Sequence, residues 1–257
     1  MKKIGLSLSG GGSKALAHVG VIRFLEENGI EANVLSGTSG GAIVACLYAS
    51  GLNADEISWF FHETNMFSTT YYNFKKPGLI DPQKICEMID KILPYKNFED
   101  LEKEVYIPTT NLNTGKMRVF SKGPISRAIV ASSSYPIVFA PTSIEGDYYV
   151  DGGIVNDFPA DIIRDKVEKL LGVYVANMKE MPGAAFTSMK SVIDRTMEIF
   201  FATNNQVKFD MCDTFLDLPE LREYGTFNVN AEALREMESM GYQRAIKVKD
   251  EILVKFT

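Results

Sequence analysis

Ala32-Asn33-Val34-Leu35-Ser36-Gly37-Thr38-Ser39-Gly40-Gly41-Ala42-Ile43-Val44-Ala45 carries the pattern on which the fold turns. A short apolar run, expected as a strand over Ala32–Leu35, leads into a G-x-S-x-G at Gly37–Gly41. An apolar, alanine-rich segment follows, expected as a helix over Gly40–Ala49 and closed by Gly51. A strand that stops at a sharp turn and restarts as a helix is the form of a nucleophile elbow. The glycines leave room for a strained turn. The serine hydroxyl then projects from the end of the sheet with a helix N-terminus behind it. Three fixed positions recur by chance too often for this motif to stand alone, because a glycine-rich strand-to-helix turn reads the same way.

A second glycine cluster lies upstream. Ser9-Gly10-Gly11-Gly12-Ser13-Lys14 follows an expected strand, Ile4–Ser9, and precedes an expected helix, Lys14–Asn28, ended by Gly29. Successive glycines between strand and helix turn several N–H groups toward one point, where the helix N-terminus favours an anion. In a serine hydrolase such a loop, with the Gly40 amide, builds an oxyanion hole. The same letters also fit a dinucleotide loop, Gly10-x-Gly12-x-x-Ala15. That reading expects an acid at the end of the second strand, and none stands at Ser36-Gly37. The Walker A pattern fails because Ser13 occupies the position that must be glycine before the lysine.

The third signal is Asp151-Gly152-Gly153 after Tyr148-Tyr149-Val150. It places an acid at the end of a strand, at the rim where α/β sites form, although an Asp-Gly turn alone is common. The chain has two histidines, His18 and His62. A triad in the order Ser, acid, His needs a histidine after Asp151, and there is none. His18 falls within the packing face of the first helix, which suits a structural role. A carboxylate is the remaining partner for Ser39.

Strand-like and helix-like runs alternate along the 257 residues, the pattern of a sheet with helices on both faces. Further helices are expected over Pro82–Ile92, Ser126–Ser132, Thr187–Thr203 and Ala231–Leu253. Further strands are expected over Val105–Asn111, Met117–Phe120, Lys169–Ala176 and Thr214–Leu218, with Asn113-Thr114-Gly115 as a hairpin turn. No linker or repeat divides the chain, so one domain over residues 1–257 is expected. The aromatic stretch Trp59–Pro77 lacks clear periodicity and reads as core or as an apolar contact surface for a greasy ligand.

The bulk numbers exclude several classes. A net charge of −6 and a pI near 5.1 leave no basic footprint for nucleic acid. Cys46, Cys86 and Cys212 are odd in number and far apart, which suits reduced thiols in a cytosol-like compartment better than a disulfide framework or a zinc site. The N-terminal apolar run is too short for a signal peptide, and no stretch is long enough to span a bilayer. Membrane contact is expected to be peripheral at most.

Glycine loop, G-x-S-x-G and D-G-G, in this order, resemble the patatin-like phospholipases. The likeness extends to His18 and Gly20-Val21, to Ala131-Ser132-x-x-x-Pro136-x-x-Phe139-x-Pro141, and to Asn156 and Pro159 after the acid. Lys14 stands where that family often has Arg, Ala15 where it usually has Gly, and Ser134 where Ala is usual. The resemblance implies a three-layer α/β/α fold with a central, mostly parallel sheet. It implies a lipid acyl hydrolase acting through a Ser39–Asp151 dyad, with Gly10, Gly11, Gly12 and Gly40 at the oxyanion. Neither metal nor cofactor is called for. Lys14, Phe67, Tyr71 and Tyr72 are the expected substrate contacts. A catalytically idle lipid-binding module and a nucleotide-dependent enzyme remain as alternatives at this point.

Overall fold

A computed structural model describes residues 3–64, 81–203 and 205–257. The strands are β1 (Ile4–Leu8), β2 (Val34–Gly37), β3 (Glu104–Asn111), β4 (Met117–Phe120), β5 (Thr142–Ile144), β6 (Asp147–Val150), β7 (Lys169–Tyr174) and β8 (Thr214–Asp217). They form a sheet ordered β5-β6-β3-β2-β1-β7-β8, with β4 beside β3. Neighbours from β3 through β8 run parallel. The antiparallel pairings are confined to β3, β4, β5 and β6. The sheet is therefore a parallel core with an antiparallel extension at one end.

The helices are α1 (Leu16–Glu27), α2 (Gly40–Ala49), α3 (Ala54–Glu63), α4 (Pro82–Ile92), α5 (Ile125–Ser132), α6 (Gly153–Asn156), α7 (Ala160–Ile163), α8 (Met189–Ala202), α9 (Gln206–Phe209), α10 (Ala231–Lys247) and α11 (Lys249–Phe256). Both sheet faces are covered. Adjacent strand residues point to opposite sides, so Leu35 and Leu171 enter the larger core while Val34 and Leu170 enter a smaller one. Leu16, Ile22, Ile43 and Leu47 of α1 and α2 fill the first, together with Ile129 of α5 and Met237 of α10. Phe158, Ala160 and Ile163 fill the second. The result is the expected three-layer α/β/α arrangement.

Local signals explain the helix starts. Asn53 accepts from the Glu56 N–H at 3.0 Å while the Glu56 carboxylate takes the Asn53 N–H at 2.9 Å, a capping box for α3. Asp81 caps α4 ahead of Pro82 in the first helical position. Asn230 caps α10 through the N–H groups of Glu232 and Ala233.

Two expectations need correction, and one strand was not anticipated. The run Ala231–Leu253 is two helices, because Val248 leaves helical geometry at φ −117° and ψ 22°. Residues 59–63, read as aperiodic, are the last turns of α3, with Phe60 buried and Trp59 exposed. The strand β5 carried too short a pattern to be recognised. Among the described residues no helix is long and apolar enough to cross a membrane.

Candidate active site

One strand brings the two halves of the site together. β2 runs parallel to β3, with Ser36 opposite Tyr106. β6 runs antiparallel to it, with Val150 opposite Thr110. The residues just beyond β2 and just beyond β6 therefore converge at the middle of β3. Those residues are Ser39 and Asp151, and Ser39 Oγ donates to Asp151 Oδ2 at 2.8 Å.

Ser39 is held at φ 52° and ψ −118°, a strained conformation for any residue but glycine. Its surroundings over-determine that turn. A Cβ on Gly37 would lie 2.3 Å from the Gly41 carbonyl oxygen, and one on Gly41 would lie 2.4 Å from that of Ser9. Chain and helix thus pack backbone to backbone at the elbow. The Ser39 N–H donates to Ser132 Oγ at 3.0 Å, and the Ser132 hydroxyl in turn donates to the Pro108 carbonyl at 2.8 Å. Thr38 Oγ1 and Ser36 Oγ donate to the carbonyls of Asn156 and Pro159 at 2.8 and 3.0 Å, tying the elbow to the segment that follows Asp151.

Asp151 is fully buried. Burial pushes its carboxyl up to about 7, against the opposing pull of hydrogen bonds from the Gly153 N–H and the Ser39 hydroxyl. The Gly153 bond, at 2.9 Å, falls on Oδ1 and leaves Oδ2 to Ser39. Main-chain bonds fix the residue itself: its N–H donates to the Ser134 carbonyl at 3.0 Å, and its carbonyl accepts from Thr110 Oγ1 at 2.8 Å. A carboxylate bonded to a hydroxyl in this way can take the proton as the oxygen attacks a carbonyl carbon.

A pocket of about 700 Å³, counting its open mouth, lies over Ser39. Gly11, Gly12 and Gly40 line it, and their N–H groups have no partner among the described residues. Gly10 is placed differently: its N–H donates to the Asp157 carbonyl at 3.0 Å, and the residue lies outside the lining. The apolar wall holds Ile43, Met178 and the ring cluster of Tyr135 against Phe201 and Phe227.

Lys14 also lines the pocket. The residue is 7% exposed. Burial lowers its pKa, partly offset by the charge of Glu198. Ala15, in place of the usual glycine, sits at an unstrained φ of −58°. Ser134, in place of alanine, donates to the Val130 carbonyl at 2.7 Å and bonds Thr142 Oγ1 at 2.9 Å, so its hydroxyl is absorbed locally. Phe67, Tyr71 and Tyr72 lie outside the described residues.

His18 is fully buried and donates Nε2–H to the Ser9 carbonyl at 2.9 Å. Burial drives its pKa down to about 4. It stays neutral at ordinary pH and braces the glycine loop, the structural role expected for it.

Sequence reasoning missed two residues of this site. Ser132 lies inside a recognised motif but gives no sign of reaching the elbow. Asp157, fully buried and in the pocket lining, looks like any polar residue of a loop. No group of His, Cys, Asp and Glu among the described residues is placed to hold a metal ion.

A family model described as Patatin-like phospholipase matches residues 6–164. The chain is 34% identical over 196 residues to "Uncharacterized protein R571" of Acanthamoeba polyphaga mimivirus, covering 68% of this chain and 66% of that one. It is 29% identical over 174 residues to "Lysophospholipase NTE1" of Scheffersomyces stipitis, covering 65% and 11%. In neither does the aligned stretch reach two thirds of the relative's length. Among solved structures, VipD from Legionella pneumophila superposes with a TM-score of 0.56 over 97% of this chain and 67% of its own, at 16% identity, a likeness of fold.

Proposed function

The chain belongs to the patatin-like phospholipase family, and on that premise we propose that it is a serine lipid acyl hydrolase in which Ser39 is the nucleophile and Asp151 its base. The 2.8 Å bond from Ser39 Oγ to Asp151 Oδ2 carries this reading. Ser39 Oγ attacks the ester carbonyl as its proton passes to Asp151. The N–H groups of Gly11, Gly12 and Gly40 stabilise the oxyanion. The C–O bond breaks, and the alcohol leaves with the proton from Asp151. Water then attacks the acyl-serine, gives a proton to Asp151, and the fatty acid departs as Ser39 regains its hydrogen. A base with a pKa near 7 suits this cycle at neutral pH.

The substrates proposed are fatty-acyl esters of glycerolipids or lysolipids. The apolar wall of Ile43, Tyr135, Met178, Phe201 and Phe227 suits an acyl chain, and the yeast relative is named a lysophospholipase. Lys14 is proposed to meet a headgroup phosphate. Exposed Met178, Met181 and Phe186 favour peripheral approach to a lipid surface. The test is hydrolysis of p-nitrophenyl esters of graded chain length by the wild type, Ser39→Ala and Asp151→Asn. Activity lost in both folded variants supports the reading; activity that survives Asp151→Asn contradicts it.

A further inference from the structure

Asp157 is a second carboxyl in the pocket, and the dyad does not use it. It is fully buried, and neither of its carboxyl oxygens makes a hydrogen bond of good geometry among the described residues. It is also wedged into place. A Cβ built on Gly10 would lie 2.3 Å from Asp157 Oδ1, so this carboxyl fills the space a side chain at position 10 would need. A Cβ on Gly153 would lie 3.1 Å from Asp157 Oδ1 and 3.1 Å from Asp151 Oδ1, so the two carboxyls face each other across that glycine.

Among the described residues no cation pairs with it directly. Lys208 of α9 gives its ammonium to Asn156 Oδ1 at 2.7 Å and lies 3.9 Å from Asp161. Lys14, in the glycine loop, interacts more strongly with Glu198 of α8 than with Asp157. The remaining titratable groups facing it are Asp151, Glu198 and, at the end of β7, the Tyr174 hydroxyl. An isolated buried carboxylate costs more than a buried neutral acid. A second negative charge here would also stand in the lining it shares with Gly11, Gly12 and Gly40.

We propose that Asp157 is a positioning residue that stays a neutral carboxylic acid while the ester is cleaved, leaving Asp151 as the one negative charge behind the oxyanion site, and that loss of its proton switches the reaction off. This rests on the dyad reading above. Burial and the neighbouring Asp151 charge both hold the Asp157 carboxyl well above the usual carboxylate range, with Lys208, the nearby Gly10 N–H and Lys14 opposing only in part. Two neighbouring acids that ionise at different pH values give a pH–rate profile with two limbs.

Asp157→Asn keeps the shape and removes the ionisation. The experiment records kcat/KM on a p-nitrophenyl ester from pH 5 to 10.5 for both proteins, with Ser39→Ala as blank, and thermal unfolding across the same range. The wild type is expected to lose about tenfold in rate per pH unit on an alkaline limb that Asp157→Asn lacks, while their acid limbs coincide. The Asn variant is also expected to gain in Tm over the wild type as pH rises. The proposal is overturned if the two share an alkaline limb, if neither has one, or if the acid limb of Asp157→Asn moves to lower pH. If the wild type cleaves no ester, the dyad reading fails. The unfolding curves then decide Asp157 alone, and a Tm difference that does not change with pH overturns it.

Discussion

Ser132 Oγ links the elbow to the sheet: it accepts the Ser39 N–H at 3.0 Å and donates to the Pro108 carbonyl of β3 at 2.8 Å. One hydroxyl thereby satisfies two main-chain groups, and it holds a strained serine beside a strand that also positions Asp151. Ser132→Ala leaves that N–H and that carbonyl without partners. The expected cost is about 1–3 kcal/mol in unfolding free energy. A loosened elbow is expected to lower kcat by about tenfold or more with little change in KM. Denaturant unfolding and steady-state kinetics check the two parts separately.

The Asp151 carboxyl makes activity and stability respond oppositely to pH. Its native pKa of about 7 means that kcat/KM climbs with pH and reaches half its plateau near 7. Its ordinary value is 3.8, so between about 4 and 7 the native state binds the proton more tightly than the unfolded chain does. The raised pKa therefore favours the native state at low pH, and that advantage is lost as pH rises through 7. A gap of that size corresponds to about 4 kcal/mol at most. Asp151→Asn removes the charge, so it is expected to be inactive yet to melt at a higher temperature than the wild type at pH 8.

Gly12 and Gly115 have similar backbone angles, φ 59° and 68°, in different surroundings. A Cβ at Gly12 would lie 2.1 Å from the Thr226 carbonyl oxygen, whereas one at Gly115 meets nothing within 4 Å. Gly115→Ala is expected to cost about 1 kcal/mol in backbone strain and leave kcat unchanged. Gly12→Ala must shift the loop itself and is expected to lower kcat by about a hundredfold or more, as loss of an oxyanion donor does. Parallel melts and kinetics on the two variants distinguish strain from clash.

Lys14→Met preserves the stem and removes the charge from the pocket. Hydrolysis of a phosphate-bearing lysolipid is expected to fall by about tenfold to a hundredfold, the worth of one charge-assisted hydrogen bond, while an uncharged monoacylglycerol is cleaved at the wild-type rate. Equal losses on both esters would leave Lys14 without a headgroup role.

Much of this was legible in the residues because local chemistry set it. Pro82–Ile92 and Met117–Phe120 match the observed elements end for end, since Asp81-Pro82 and the turn at Asn113–Gly115 mark their limits. The order of glycine loop, elbow and acid told where the strands end. What was hidden depends on other parts of the chain. Lys14 shares its pocket with residues from α8 and from the 176–178 and 226–227 segments, more than 160 positions away. The Gly10 amide is taken by Asp157, and Asp157 earns notice only once Gly10 and Gly153 pack against it. The break at Val248 has no proline or glycine to announce it.

The most direct test of the account is the mass of the protein after exposure to a long-chain alkyl fluorophosphonate, followed by peptide mapping. The account predicts a single adduct on Ser39, absent in Ser39→Ala and formed far more slowly in Asp151→Asn. A wild type that takes no adduct, or takes it on another residue, would contradict the assignment of Ser39 as the nucleophile.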